Sequence, residues 1–317
     1  MASTIAVTMG DPAGIGPEVI ARALGDSEIA GAASFIVLGD RRAFEADLKW
    51  PACASLVDFA NAAPETIAAH RPTAEGGRAS IDYVERAIRM ALAGEADAIV
   101  TAPISKTALA LAGIRYPGHT ELLAERTGAP KHAMMFVSPR LRVTLVSIHQ
   151  SLRKMLDTLT PEKVLDTLEL THRALVGWFG VAEPRLALAG VNPHAGEEGL
   201  FGDEETRVLA PALEAARARS IHCTGPLPPD TVFLRALEGQ FDAVVAVYHD
   251  QGLIPVKLLA FHQAVNLTLG LPIVRTSVDH GTAYDIAGTG RANPGSMKAA
   301  IRLAIDIAQR RRETTDE

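Results

Sequence analysis

The chain has 317 residues, 48% of them hydrophobic and 21% charged, a balance that supports a large buried core and excludes a disordered or fibrous polymer. A net charge of −6 excludes a general polyanion binder, because nucleic-acid domains carry a basic face, yet it leaves room for a local phosphate site. The two cysteines, Cys53 and Cys223, form no CxxC or zinc-ribbon spacing and read as reduced core thiols.

In chain order, the first ten residues lack the basic and apolar regions of a signal peptide, and no later apolar run reaches the roughly 20 residues that span a bilayer. These features predict a cytoplasmic protein with no membrane and no nucleic-acid partner. Strands are expected at Thr4–Thr8, Phe35–Leu38, Ala98–Thr101, Ala133–Val137, Leu141–Ser147, Arg185–Ala189, Ala243–Val247, Val265–Leu269 and Ile273–Thr276. Helices are expected at Pro17–Leu24, Ile81–Ala93, Thr120–Thr127, Pro161–Phe179, Glu204–Ala218 and Pro294–Arg310, with a fraying tail beyond. This alternation predicts an α/β fold with a mostly parallel sheet covered by helices. No Ser- or Gly-rich linker marks a boundary, so two domains would share strands or cross back rather than join as beads.

The first strand leads into Gly10-Asp-Pro-Ala-Gly-Ile-Gly-Pro-Glu18, with Pro17 at the start of a helix. A second glycine-rich stretch runs from Asp279 to Gly295. Neither contains G-x-G-x-x-G, so a bound dinucleotide would not sit on a standard Rossmann turn. Gly118-His119-Thr120-Glu121 precedes an apolar helical run, where its polar groups either cap the helix or hold an anion; capping is the plainer reading. Asn266 and Arg275 fall in an otherwise apolar segment not far beyond Lys257. A buried Asn or Arg without a partner is costly, so each needs a fixed acceptor. Either a substrate carboxylate or phosphate, or an internal acid such as Asp230, Asp250 or Asp279, meets that need.

His149, His194 and His249 each follow an apolar run, in a different loop. Ligands in α/β proteins gather beyond the carboxyl ends of the strands, and three imidazoles there suit a metal site with open positions. A single histidine after a strand is more often a capping or core residue. Three in equivalent positions set a metal site beside that reading as an equal alternative, with Asp250 and Asn192 placed to orient the rings. Imidazole ligands suit zinc, cobalt or nickel.

The segments Gly10–Glu18, Gly118–Glu121, Asn192-Pro-His-Ala-Gly196, Gly225-Pro-Leu-Pro-Pro-Asp-Thr231, Tyr248-His-Asp-Gln-Gly252 and Arg275-Thr-Ser-Val-Asp-His-Gly-Thr-Ala283 together carry a resemblance. Over nearly its whole length the chain resembles the 4-hydroxythreonine-4-phosphate dehydrogenase family of pyridoxal phosphate biosynthesis. Its two glycine-rich segments also resemble those of isopropylmalate and isocitrate dehydrogenases, with Tyr284 where those have Pro and Thr289 where they have Lys.

The resemblance implies two α/β/α domains of isocitrate/isopropylmalate dehydrogenase type with a cleft between them. Residues 1–127 and 283–317 would form a discontinuous dinucleotide-binding domain, and 128–282 a metal, substrate and dimerisation domain. It implies that His149, His194 and His249 hold one divalent metal (zinc, cobalt, magnesium or nickel), and that His119, Thr120, Lys257, Asn266 and Arg275 hold a phosphorylated substrate. Gly281, Asp285 and Asn293 would contact NAD or NADP, and Lys257 and Asp250 would serve proton transfer or ring orientation. A homodimer with the active site at the subunit interface follows from the same resemblance. The implied reaction is oxidation of 4-phosphohydroxy-L-threonine to its 3-oxo acid, which decarboxylates to 3-amino-2-oxopropyl phosphate. The alternatives are a D-threonate or D-erythronate 4-phosphate dehydrogenase of the same family, then a terephthalate dihydrodiol dehydrogenase, then a non-catalytic metal-binding protein.

Overall fold

The computed structural model describes residues 2–45, 50–116 and 118–313; the tail expected to fray, at 314–317, lies outside the described residues. In chain order the strands are β1 (Thr4–Thr8), β2 (Ser34–Gly39), β3 (Ala54–Asp58), β4 (Ala98–Thr101), β5 (Ala133–Val137), β6 (Arg142–Leu145), β7 (Leu186–Ala189), β8 (Cys223–Leu227), β9 (Ala243–Ala246), β10 (Val265–Leu269) and β11 (Val274–Val278). The chain divides into two compact units, Met1–Pro130 with Leu271–Glu317, and Lys131–Gly270. The second crossing falls at Leu271 rather than at 283, because β11 pairs in parallel with β4 and so groups with the first unit.

The first unit orders its strands β3-β2-β1-β4-β11, every pair parallel. Strands β4 and β11 are buried throughout, and β1 is buried from Ile5 onward, which accounts for their nearly unbroken apolar runs. Strand β3 escapes sequence reading because it is a partly exposed edge strand with a mixed pattern. The helix Ala74–Leu92 begins well before the expected Ile81. Thr73 Oγ1 caps it by accepting from Gly76 N–H at 2.9 Å. Gly77 disguises this first turn in the sequence, yet packing demands it: a Cβ there would lie 2.3 Å from the Ala108 carbonyl oxygen.

The second unit orders its strands β10-β5-β6-β9-β7-β8. Strand β5 runs antiparallel to both β10 and β6, and the remaining pairs are parallel. Alternate residues feed two separate cores. Leu186, Leu188 and Val245 pack with Val164, Leu168 and Leu209 on one face. Ala187, Ala189 and Val244 pack with Phe233, Leu253 and Val256 on the other. The helix expected over Glu204–Ala218 is instead a π-helical turn, Glu205–Leu209, followed by an α-helix, Ala210–Ala218. Pro211 is the physical reason, since it lacks the N–H for a regular bond to the preceding turn. Strand β8 was masked by Gly225 and Pro226, and a Cβ on Gly225 would meet the Leu188 carbonyl oxygen at 2.7 Å. The fold is α/β in both units, and no helix among the described residues is long and apolar enough to cross a membrane.

Candidate active site

Strands β6 and β9 are parallel neighbours, with Val143 beside Val244 and Leu145 beside Ala246, so both chains leave the sheet at the same edge. Four residues beyond β6 lies His149, and three beyond β9 lies His249. Their ring centroids are 5.8 Å apart at an interplanar angle of 41°. Both line a cavity of about 510 Å³ together with Ser147, Gln150, Tyr248 and Asp250. His249 is not in a loop, as the sequence suggested; it is the first residue of the helix His249–Ala260, entered from the extended Tyr248. Asp250 in that first turn complements the helix dipole. Its Oδ1 lies 2.6 Å from His249 Nδ1, a contact that favours the tautomer with Nε2 as the lone-pair nitrogen.

Two tetrahedral ligands at a metal–nitrogen distance of about 2.1 Å place imidazole centroids roughly 5 Å apart. The His149–His249 pair, at 5.8 Å, is close to that spacing, and the donor chemistry fits a divalent ion. His194 does not join the pair within the chain, and no three His, Cys, Asp or Glu side chains among the described residues are grouped to hold a metal. Gln251, which the sequence offers only as one residue of the Tyr248–Gly252 segment, is buried and links two of the strand exits. Its Oε1 accepts from Val247 N–H at 2.7 Å, and its Nε2 donates to the Gly190 carbonyl at 2.6 Å.

His194 follows β7 in an unusual backbone. Residues His194, Ala195, Gly196, Glu197 and Glu198 have φ of 54°, 56°, 86°, 43° and 54°, a continuous left-handed turn. For L-residues this conformation costs about 1–2 kcal/mol each, and only Gly196 among the five is exempt. A buried carboxylate faces the turn. Glu205 Oε1 accepts from Val191 N–H and Asn192 N–H, both at 2.7 Å, and Oε2 accepts from Asn192 Nδ2 at 2.8 Å. The same Nδ2 donates to Glu204 Oε2 at 2.8 Å.

Lys257 lies two turns along the helix from His249, half-buried, with Nζ 5.5 Å from the Phe261 ring centroid. The outer face of this helix is apolar: Ile254, Leu258 and Phe261, just past its end, are 59%, 82% and 61% exposed. Asn266 sits in β10 opposite Phe136. Its Oδ1 is buried and has no hydrogen-bond partner among the described residues.

In the first unit, β11 carries Arg275, only 2% exposed, whose Nε and Nη2 donate to Thr101 Oγ1 at 3.2 and 2.7 Å. Burial pulls the guanidinium down to about 9, opposed by the nearby Glu121 carboxylate. His119 opens the helix His119–Thr127 behind Gly118, with Thr120 buried beside it. Its Nε2 is sealed from solvent without a hydrogen-bond partner among the described residues. Burial, and then the Arg275 charge, hold the ring well below the ordinary imidazole range. His119 and Arg275 are therefore brought together, beside the start of a helix.

The two glycine-rich segments also meet in this unit. Ile15 N–H donates to the Thr282 carbonyl at 2.9 Å, and Ala292 N–H donates to Glu18 Oε1 at 3.0 Å. Arg22 Nη1 donates to the carbonyls of Ala292 at 2.7 Å and Gly290 at 3.2 Å. Tyr284 donates its hydroxyl to Asp11 Oδ2 at 2.7 Å, and burial raises the Asp11 carboxyl above its usual range. Gly14, Arg22, Phe44, His70, Ala287 and Gly288 line a pocket of about 400 Å³. Gly281, Asp285 and Asn293 are exposed and do not line it; Asn293 Oδ1 accepts from Gly295 N–H at the start of the last helix.

Residues 27–304 match the family model described as pyridoxal phosphate biosynthetic protein PdxA. The chain is 48% identical to 4-hydroxythreonine-4-phosphate dehydrogenase of Geobacter metallireducens, covering 96% of this chain and 95% of that one. It is also 48% identical to D-threonate 4-phosphate dehydrogenase of Salmonella typhimurium, covering 96% and 99%. The crystal structure of 4-hydroxythreonine-4-phosphate dehydrogenase from Klebsiella pneumoniae matches with a TM-score of 0.87 at 45% identity, over 98% of this chain and 99% of that one. A beta-decarboxylating dehydrogenase from Thermococcus kodakarensis shares the fold, with a TM-score of 0.53 at 15% identity over 99% and 97% of the two chains.

Proposed function

The chain belongs to the pyridoxal phosphate biosynthetic protein PdxA family and is a dehydrogenase, and from that premise we propose that it oxidises 4-phosphohydroxy-L-threonine at its 3-hydroxyl with NAD or NADP. The product is the 3-oxo acid, which loses CO₂ to give 3-amino-2-oxopropyl phosphate. The observation that carries the metal-assisted part of this reading is the pair of strand-end imidazoles, His149 and His249, at 5.8 Å. This pair would hold one divalent ion (zinc, cobalt, magnesium or nickel), with His194 supplied by the second subunit of a homodimer. The exposed apolar row Ile254, Leu258 and Phe261, on and just past the helix that starts at His249, supports burial against a second copy. A metal held there would supply Lewis-acid polarisation of the substrate hydroxyl, and a bound nicotinamide would supply the hydride acceptor.

The protein's own groups position the substrate and move the proton. Arg275, His119 and Thr120 receive the phosphate: a buried cation and a helix start favour a dianion. The Asn266 amide binds a polar group of the substrate through its buried Oδ1. Lys257 accepts the hydroxyl proton, while Asp250 holds the His249 ring through Nδ1. Gly281, Asp285 and Asn293, on the second glycine-rich segment, would contact the cofactor.

The two-subunit site is tested by mixing His194→Ala with His249→Ala. Each variant alone is inactive, and hybrid dimers regain up to about one quarter of wild-type activity because one intact site forms in each hybrid. No recovery after subunit exchange overturns the shared site. A second substrate, D-threonate 4-phosphate, is favoured by a relative of equal identity that carries that name. Reduced-nicotinamide formation with each compound decides: a higher kcat/KM for 4-phosphohydroxy-L-threonine supports the first reading, and a higher value for D-threonate 4-phosphate replaces it.

A further inference from the structure

We propose that Glu205 is a positioning residue for the metal ligand His194, acting through the backbone it holds; this rests on the metal reading of His194 given above. Glu205 is buried, and among the described residues it makes no ion pair with Lys or Arg. Its three donors are N–H groups of one short stretch: the main chain of Val191, the main chain of Asn192 and the side chain of Asn192. A carboxylate that binds two consecutive main-chain N–H groups sets the direction in which the chain leaves β7. The next residues but one must then enter the left-handed turn that begins at His194.

Two glycines fit the carboxylate against that turn. A Cβ on Gly196 would lie 2.8 Å from Glu205 Oε2, and a Cβ on Gly190 would meet Ala195 at 2.9 Å and Glu205 Oε1 at 3.3 Å. Glu205 itself opens a π-helical turn, which brings its side chain back to Asn192, thirteen residues earlier and just past β7. A capping or merely structural role needs neither a left-handed run of five residues nor an anion fixed on its entry. Strain of this kind persists only where its surroundings over-determine it. Here main-chain bonds such as Ala195 N–H to the Asn192 carbonyl and Phe201 N–H to the Gly196 carbonyl close the turn, the Glu205 carboxylate fixes its entry, and the side chain so displayed is an imidazole.

The substitution Glu205→Gln keeps the shape but places an amide donor against Asn192 Nδ2, or turns it toward two main-chain donors. The full-length dimer is purified, stripped of metal and titrated with Co(II), which reports both affinity and ligand geometry through its visible absorption. Glu205→Gln should weaken Co(II) binding about 10- to 100-fold and shift the visible band, with an unchanged circular dichroism spectrum. His194→Ala is the reference. Wild-type Co(II) affinity in His194→Ala removes the metal reading and the proposal with it. Impaired His194→Ala beside a Glu205→Gln protein of wild-type affinity and spectrum overturns the positioning role alone. If Glu205→Gln does not fold, Asn192→Ala removes the side-chain tie and Glu204→Gln controls for its second acceptor: a smaller loss in Asn192→Ala that Glu204→Gln does not reproduce supports the proposal, and no loss, or an equal loss in Glu204→Gln, overturns it.

Discussion

The strand-end histidines of the second unit and the buried Arg275–His119 pair of the first are held in opposite ways. Arg275 is sealed in the sheet at 2% exposure, and His119 beside it is held neutral by burial. The charge there is already desolvated, so the phosphate dianion proposed above would meet a cation that cannot relax away. His249, by contrast, keeps 41% of its side chain exposed, and its order comes from neighbours: Asp250 on the ring and Gln251 on the strand ends. Burial prepares one region, and hydrogen-bonded backbone prepares the other. The difference teaches that substrate affinity should depend on the first region, and that metal-dependent turnover should depend on the second.

The largest expected effect separates chemistry from metal binding within the second unit. Lys257→Ala should leave metal content intact while lowering kcat about 10²- to 10⁴-fold. Metal analysis beside steady-state kinetics checks it, and lost metal or full activity would break the division. Next comes Arg275→Ala, which should lower kcat/KM for the phosphorylated substrate about 10²- to 10³-fold. Arg275→Lys should recover only part of this, because a point charge does not replace a planar fork. Metal affinity should not change in either variant; a change would blur the two roles.

A smaller effect concerns pH. Because the folded-state pKa of His119 is lowered, the unfolded chain binds more protons as pH falls through the ordinary imidazole range near 6.5. Stability is therefore lost on acidification from pH 7 toward 5, and His119→Asn should flatten that slope in thermal melts. An unchanged slope would show that the ring is not held neutral. The smallest expected effect is Tyr284→Phe, which takes a donor from the buried Asp11 carboxylate and should cost about 1–3 kcal/mol near neutral pH. The loss should shrink as the carboxyl protonates in acid, and the cofactor KM should rise with kcat little changed. Denaturant melts and cofactor titrations test both halves.

Much of this plan was legible in the sequence where a residue conflicts with its surroundings. Arg275 stood out as a cation in an apolar run, and it is buried in β11. The strand runs before His149, His194 and His249 were also clear, since strands buried on both faces show unbroken apolar stretches. The local setting of each histidine was not legible. His249 begins a helix because of the extended entry at Tyr248 and the acid in the first turn, signals too weak beside Gly252 to overrule a loop. The left-handed turn at His194 contains a single interior glycine, and the carboxylate that holds it lies on another element. Thr101, the acceptor for Arg275, is 174 residues away in sequence, and only the parallel pairing of β4 with β11 brings it near. Sequence patterns report faces and periods; they do not report which distant side chain satisfies a given donor.

The clasp between the two glycine-rich segments bears on the order in which the molecule is made. Ile15 and Glu18 wait for Thr282 and Ala292, partners that leave the ribosome some 270 residues later. All of Lys131–Gly270 is synthesised in between. Domains fold as units when their chain is complete, so the unit begun first is the one finished last. A nascent chain stalled before β11 would hold a complete second unit, with His149 and His249 side by side, beside a first unit whose Ile15 and Glu18 still lack their partners.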